Sequence, residues 1–356
     1  MHCISRLLLL LVAFESLSAQ DSAFDRDPWP AVDKGPIKVF LLAGQSNMQG
    51  QASLRTLEYL IYNEETAAAY QHWKDRQGGW NERRDVWVWT SDGERSGNLR
   101  PGYGANEWKL GPELGFGWVM GELFDEQVLL IKTCWGGRSV KKDFLPPSES
   151  LPDDTVLKQD LERARKRRPE TSLESIRNSY GKAYRDMIHL TKGILGNPSK
   201  HLPHFKGNRS FELAGFVWFQ GWNDMVDGSQ RAEDYAGYTR RLRALIRDLR
   251  RDLKAPELPV VIGELGATDQ AAFHQAQEEV LATEEFAGTG VFVPTRLFWE
   301  PEVAQLVNDG VWKGKDWVRF YNVGSDRAYH YLGSGQMMMK IGEAFGRAME
   351  SLVLAE

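Results

Sequence analysis

Ile37-Lys-Val-Phe-Leu-Leu-Ala43 runs directly into Gly44-Gln-Ser-Asn-Met48. The first stretch is short, apolar apart from Lys38, and ends at a glycine, which is the signature of a buried β-strand. Gly44 lets the backbone turn sharply, so Ser46 falls between the strand and whatever helix follows. There its hydroxyl projects at the sheet edge and its own N–H can face an oxyanion. The physics is that of a nucleophile elbow, although the Gly-x-Ser-x-Gly pattern of the α/β-hydrolases is absent. Taken alone, a Gly-x-Ser after a strand serves equally well as a helix N-cap or a phosphate-cradling turn.

Outward from this point, further strand-like runs cover 86–89, 128–133, 215–219 and 260–262, with an additional candidate at 291–293. Helix-like stretches separate them, at about 52–76, 113–125, 171–195, 231–253 and 270–286, and a last one closes the chain at 335–353. Tyr235, Tyr238, Leu242, Leu245, Ile246 and Leu249 recur at the three- and four-residue spacing of an amphipathic helix. Alternating strands and helices, with the strands apolar throughout, predict an α/β fold. A central, mostly parallel sheet of about five strands is covered by helices on both faces, a three-layer α/β/α arrangement. In such open sheets the site lies beyond the carboxyl ends of the strands, so the chemistry is expected just after the apolar runs.

The stretch 145–180 breaks the alternation. It carries Pro146, Pro147 and Pro152 and the basic run Glu162-Arg-Ala-Arg-Lys-Arg-Arg168, and reads as an insertion with a solvated helix end. At the N-terminus, Arg6, the apolar run 7–14 and the small residues Ser16, Ser18 and Ala19 form the pattern of a secretory signal peptide, residues 1–19, with a single domain at 20–356. The apolar run is too short to span a bilayer. Cleavage is expected after Ser18 or Ala19, giving a secreted or periplasmic protein with no membrane attachment. Of the two cysteines, Cys3 lies in that segment and Cys134 at the end of an apolar run, where a buried small hydrophobe is expected. A net charge of −5 leaves no footprint for nucleic acid. The histidines at 189, 201 and 204 lack the carboxylate or thiolate spacing of a metal site, and no Gly-x-Gly-x-x-Gly follows the first strand. Neither metal nor cofactor is expected.

Three later segments follow strand-like runs or stand near the C-terminus. Cys134-Trp-Gly-Gly-Arg-Ser139 places two glycines where a backbone N–H can approach a ligand, or simply where strand turns into helix. In Gln220-Gly-Trp-Asn-Asp224, Asn223 offers an amide donor of the kind an oxyanion hole uses, or a turn-forming side chain. Asp326-Arg-Ala-Tyr-His330 supplies a base for a serine elsewhere, with a carboxylate nearby to orient it.

In order along the chain these are Ser, Gly, Asn, then Asp and His. The set resembles the SGNH hydrolase superfamily, whose fold is flavodoxin-like, and within it the sialate O-acetylesterase and carbohydrate esterase family 6 (acetylxylan esterase-like) branch. Gly44-Gln-Ser-Asn-Met48 is similar to the first block of that branch, Gly137-Arg-Ser139 to the second, and Gly221-Trp-Asn-Asp224 to the third; Gly111-Pro-Glu-Leu-Gly-Phe-Gly117 is also similar to it. The likeness covers roughly 37–350. It implies that Ser46 attacks an acetyl ester on carbohydrate, that His330 is the base, and that Ser46 N–H, Gly137 N–H and the Asn223 amide hold the oxyanion. The superfamily places its Asp three residues before the His, where this chain has Arg327. Either the loop carries one more residue and Asp326 orients the imidazole, or the acid comes from elsewhere, or the pair is a Ser-His dyad with a backbone carbonyl as orienter.

Thirteen tryptophans are many for 356 residues. Trp135 and Trp222 adjoin the expected oxyanion donors and are read as walls for a sugar ring, with Trp80 and Trp108 as weaker candidates; Trp87 and Trp89 are read as core. Gln45, Gln220 and Arg138 complete the expected substrate contacts. Two other readings remain open: an esterase of lipid or aryl esters on the same fold, and an inactive carbohydrate-binding protein. The sequence is silent on oligomeric state.

Overall fold

A computed structural model describes residues 29–93, 95–226 and 232–355. The expected signal peptide lies outside the described residues. A seven-stranded sheet runs through the middle of the molecule. Its strands are β1 (Ile37–Gly44), β2 (Arg83–Thr90), β3 (Ser96–Leu99), β4 (Val128–Cys134), β5 (Phe211–Phe219), β6 (Val260–Gly263) and β7 (Gly290–Val293), in the order β3-β2-β4-β1-β5-β6-β7. All neighbours are parallel except β3, which pairs antiparallel with β2 at one edge. The sheet exceeds the expected five strands because β7 is real and because β3, Ser-Gly-Asn-Leu, has no apolar alternation to announce it.

β1 explains the layering. Successive side chains of a strand point to opposite faces. Phe40 and Leu42 enter one core, with the helices Leu54–Tyr62 (α2), Pro112–Leu123 (α3) and Gly335–Val353 (α9). Val39, Leu41 and Ala43 enter the other, with Lys182–Gly196 (α6), Ala232–Asp252 (α7) and Ala271–Glu278 (α8). Both faces are covered, so the central strands carry mostly apolar side chains on both sides.

The segment 145–180 forms α4 (Asp154–Arg165) and α5 (Leu173–Ser179) around a small cluster of Leu145, Leu157, Ile176 and Tyr180. Asp153 caps α4 by accepting from Val156 N–H at 2.9 Å, and Arg163 and Arg165 occupy its last turn, where cations complement the helix dipole. The helix expected over 171–195 divides into α5 and α6 at Gly181, whose φ of +66° suits a glycine and interrupts the helix. The helix expected over 52–76 ends at Tyr62 and resumes only as short turns.

Register decides where the chemistry gathers. Gly44, the last residue of β1, is level with Cys134 of β4 on one side and Phe219 of β5 on the other. The residues that follow all three strands therefore emerge side by side at one edge of the sheet.

Candidate active site

Ser46 opens a single helical turn, α1 (Ser46–Gln49), directly after β1. The turn depends on Gly44: a Cβ there would stand 2.1 Å from the Phe219 carbonyl oxygen, so any other residue would push β1 from β5. Beneath the turn, Lys132 reaches up from β4. Its ammonium donates to the Gln49 carbonyl (3.0 Å), the Tyr103 carbonyl (2.7 Å) and Glu113 Oε2 (2.7 Å). Both partners of this ion pair are buried, and Glu113 Oε1 accepts from Gly111 N–H at 2.9 Å. A buried charge persists when it is paired and hydrogen-bonded; here the pair holds the C-terminal side of the serine turn.

His330 Nε2 lies 2.9 Å from Ser46 Oγ, and His330 Nδ1 lies 3.3 Å from Asp326 Oδ1. This second contact is within ion-pair reach but off-line for a hydrogen bond, leaving Nδ1 without an aligned acceptor. His330 N–H donates to the Arg327 carbonyl at 3.0 Å, closing a turn that stacks residues 326 and 330. Beyond it, Tyr331 and Leu332 take φ of +52° and +57°. Each such left-handed residue costs roughly 1–2 kcal/mol. Burial of both side chains offsets the cost, as does the Tyr331 hydroxyl, which shares a hydrogen bond with the Thr295 hydroxyl (2.6 Å) beside the Glu264 carbonyl (3.3 Å). Burial pushes the Asp326 carboxyl upward, but His330, the Arg327 N–H and Lys109 outweigh it and leave the group below the ordinary carboxylate range. Lys109 Nζ stands 3.7 Å from Asp326 Oδ2 and 2.5 Å from Gln51 Oε1.

The loops after β4 and β5 flank this pair. Gly136 is the glycine beside the serine: a Cβ on it would lie 3.9 Å from Ser46 Cβ. Gly137 follows, exposed, with nothing within 4 Å of such a Cβ. Asn223 is half-buried, and its carboxamide has no hydrogen-bond partner among the described residues. Asp224 beside it is buried and does structural work. Its carboxylate accepts from Val140 N–H (2.8 Å), Lys141 N–H (3.1 Å) and Gln220 Nε2 (2.7 Å), which ties the loop after β5 to the loop after β4. Burial outweighs these three donors and raises the Asp224 carboxyl above its ordinary value.

Gln45 and Gln220, expected to touch substrate, face inward. Both are buried, and Gln220 Nε2 lies 3.2 Å from Gln45 Oε1 and 2.9 Å from the Arg138 carbonyl, so they connect the loops instead. Arg138 is half-exposed and paired with Asp143 at 3.0 Å. Trp222 packs at a tilt, 5.2 Å between ring centres, against Tyr329, whose ring is 4.4 Å from His330, forming an aromatic lip at the histidine. Trp135 is half-buried and packs on Phe144. Trp108 is 70% exposed on the turn that carries Lys109. Trp80 precedes β2 and therefore sits at the amino edge of the sheet, away from Ser46, under the Lys74 ammonium. Trp87 and Trp89 are core, as expected. Cys134 is buried, which pushes its thiol up to about 12.

Lys132, Glu113, Lys109 and Asp224 escaped sequence reasoning as parts of the site. The signal was present for one of them: a lysine inside the apolar run 128–133 demands a buried partner. Among the described residues no group of three or more His, Cys, Asp or Glu gathers to hold a metal ion, and no helix is long and apolar enough to cross a membrane.

The chain is similar in structure to a protein from Arabidopsis thaliana solved at 1.6 Å, at 14% identity and a TM-score of 0.50, over 88% of this chain and 98% of that one. A carbohydrate acetylesterase from Xanthomonas citri aligns at 13% identity and a TM-score of 0.48, over 90% of this chain and 57% of that one. NanS aligns at 15% identity and a TM-score of 0.40, over 73% and 78%. No curated protein gives a significant sequence match. The sequence model of the family described as carbohydrate esterase, sialic acid-specific acetylesterase, matches residues 36–293, well over half of the chain. With the serine turn, the glycine loop and the Asn223 loop inside that span, this chain belongs to the carbohydrate esterase, sialic acid-specific acetylesterase family.

Proposed function

We propose that the protein is a secreted serine esterase that removes O-acetyl groups from carbohydrate by a Ser46–His330–Asp326 acyl-enzyme mechanism. The observation that carries this reading is the 2.9 Å contact between His330 Nε2 and Ser46 Oγ, made by residues 284 positions apart at the carboxyl edge of the sheet. A neutral imidazole at this distance accepts the hydroxyl proton as Oγ attacks the acetyl carbonyl carbon. The electron pair moves to the carbonyl oxygen, where Ser46 N–H, an N–H of the Gly136-Gly137 turn and the Asn223 amide are the donors to receive it. Collapse breaks the bond to the sugar oxygen, which takes the proton from His330 and leaves as the alcohol. Water then gives a proton to His330 and attacks the acetyl-serine; acetate departs, and the proton returns to Ser46. Asp326 supports the imidazolium formed in each half-reaction.

A sugar substrate is favoured over a lipid by the rim. Trp222 and Tyr329 line the histidine, exposed Trp108 adjoins Lys109 beside Asp326, and Arg138 and Asn223 lie on the flanking loops, a mixture that suits sugar rings offering both an apolar face and hydroxyls.

The test is acetate release from 4-nitrophenyl acetate and from a panel of acetylated saccharides, together with covalent labelling by a fluorophosphonate. Wild type should release acetate and take the label, and Ser46→Ala should do neither. A wild-type protein that takes no label and releases no acetate would leave a binding protein as the better reading.

A further inference from the structure

Along the carboxyl ends of β6 and β7, beside the catalytic loop, runs a cleft of about 800 Å³. Asp269, His274, Glu278, Arg296, Trp299 and Ala328 are among its walls. Ala328 stands two residues before His330, and the Trp299 ring is 6.3 Å from that of Tyr331, so the cleft begins at the loop that carries the base. With neighbouring strands about 4.8 Å apart, the end of β6 lies roughly 10 Å from the end of β1. That separation suits units of a chain next to the one being deacetylated, and not the acetyl group itself.

The charge of its walls does not suit an acidic sugar. Arg296 is half-exposed, but its guanidinium rests on Oε1 of the wholly buried Glu264, and its N–H donates to Glu264 Oε2 at 3.0 Å. That cation is already matched. Glu264 also lies 3.4 Å from His274 Nδ1, while His274 Nε2 is 3.1 Å from the Leu265 carbonyl. Asp269 and Glu278 add two exposed carboxylates to the walls. Nearer the serine, Arg138 is paired with Asp143, and Lys109 faces Asp326. A sugar carboxylate in the cleft would face the exposed Asp269 and Glu278 carboxylates, with Arg296, Arg138 and Lys109 each already engaged by an acid. An uncharged sugar would meet an indole for its apolar face and carboxylates that accept from its hydroxyls.

We propose that this cleft is a glycan subsite for uncharged sugar units flanking the acetylated one, so that the preferred substrate is a neutral acetylated oligo- or polysaccharide. The inference rests on the esterase reading for its orientation, but not for its test. The test is calorimetric binding to the Ser46→Ala protein, which cannot turn substrate over. Acetylated xylose, mannose and glucose oligosaccharides would be compared, as tetramers and as single sugars, with O-acetylated sialic acid alongside. At least one neutral tetramer should bind about tenfold more tightly than its single sugar, and Trp299→Ala in the same background should remove that advantage. The exposed pair Asp269→Asn/Glu278→Gln, which leaves the core intact, should weaken the tetramer several-fold and strengthen sialic acid. Equal affinity for tetramer and single sugar, an advantage that survives Trp299→Ala, or tighter binding of sialic acid than of every neutral tetramer would overturn the proposal. Acetate release by wild type without a tetramer advantage would sink the cleft alone. A tetramer advantage without acetate release would sink the esterase and leave the cleft standing.

Discussion

Asp326 Oδ1 stands 3.3 Å from His330 Nδ1, the acid four positions before the base in the chain. One turn of backbone, closed by His330 N–H on the Arg327 carbonyl, brings them together, so the longer spacing does not by itself separate acid from base. If Asp326 orients the imidazole, Asp326→Asn should lower kcat for acetyl esters by about 10³-fold while the fold is kept. Steady-state kinetics decide this, and a loss below tenfold would point to a Ser-His dyad. The same carboxyl is held below its ordinary range, so its contribution to stability is fully present above that range and is lost as pH falls through the depressed value.

Asn223 and Asp224 are neighbours with opposite expected phenotypes. Asn223→Ala removes a half-buried amide with no partner among the described residues and should cost about 10²–10³-fold in kcat with little change in melting temperature. Asp224→Ala strands Val140 N–H in the interior, leaves Lys141 N–H without its acceptor and removes one of three acceptors around the Gln220 amide. It should destabilise the protein by about 2–4 kcal/mol, read by denaturant unfolding. An Asn223→Ala protein as active as wild type would remove that side chain from the oxyanion hole.

Lys132→Met should be among the most damaging substitutions distant from the substrate. It leaves the Glu113 carboxylate buried and unpaired and releases the Gln49 carbonyl under the serine turn. Breaking such a pair costs about 3–5 kcal/mol. The combined Lys132→Met/Glu113→Leu variant should recover much of that stability, because no charge is then left unpaired. Recovery of stability without recovery of activity would separate the positioning of Ser46 from the stability of the sheet.

His72 governs part of the acid response. It packs against Trp73 and Trp118, and burial, reinforced by the Arg83 guanidinium and opposed by Glu122, pushes its pKa down from 6.5 to about 4. Between those values the unfolded chain binds a proton that the folded protein refuses, so stability falls as pH drops from about 6.5 toward 4. His72→Phe should flatten this slope relative to wild type in chemical denaturation at pH 7, 5.5 and 4.5. Parallel slopes for the two proteins would contradict the assignment.

The sequence by itself determined the layering and the position of the chemistry. Ile37–Ala43 is apolar on both of its faces, which only a sheet covered on both sides accommodates, and Gly44 ahead of Ser46 marks the turn where a serine can project. Those are local properties, set by side-chain period and by the one residue that tolerates the Phe219 carbonyl so close. Tertiary structure decided everything that depends on register and burial. The level ends of β1, β4 and β5 gather three distant loops. Gln45 and Gln220 turn inward to connect those loops, and Lys132 finds Glu113 beneath the nucleophile. Trp80, Trp135 and Trp222 are the same residue type close to strand ends, yet one sits at the far edge of the sheet, one packs on the core and one lies at the histidine. Which partner a buried polar group meets is a three-dimensional fact, because the free energy of burying it belongs to the pair and not to the residue.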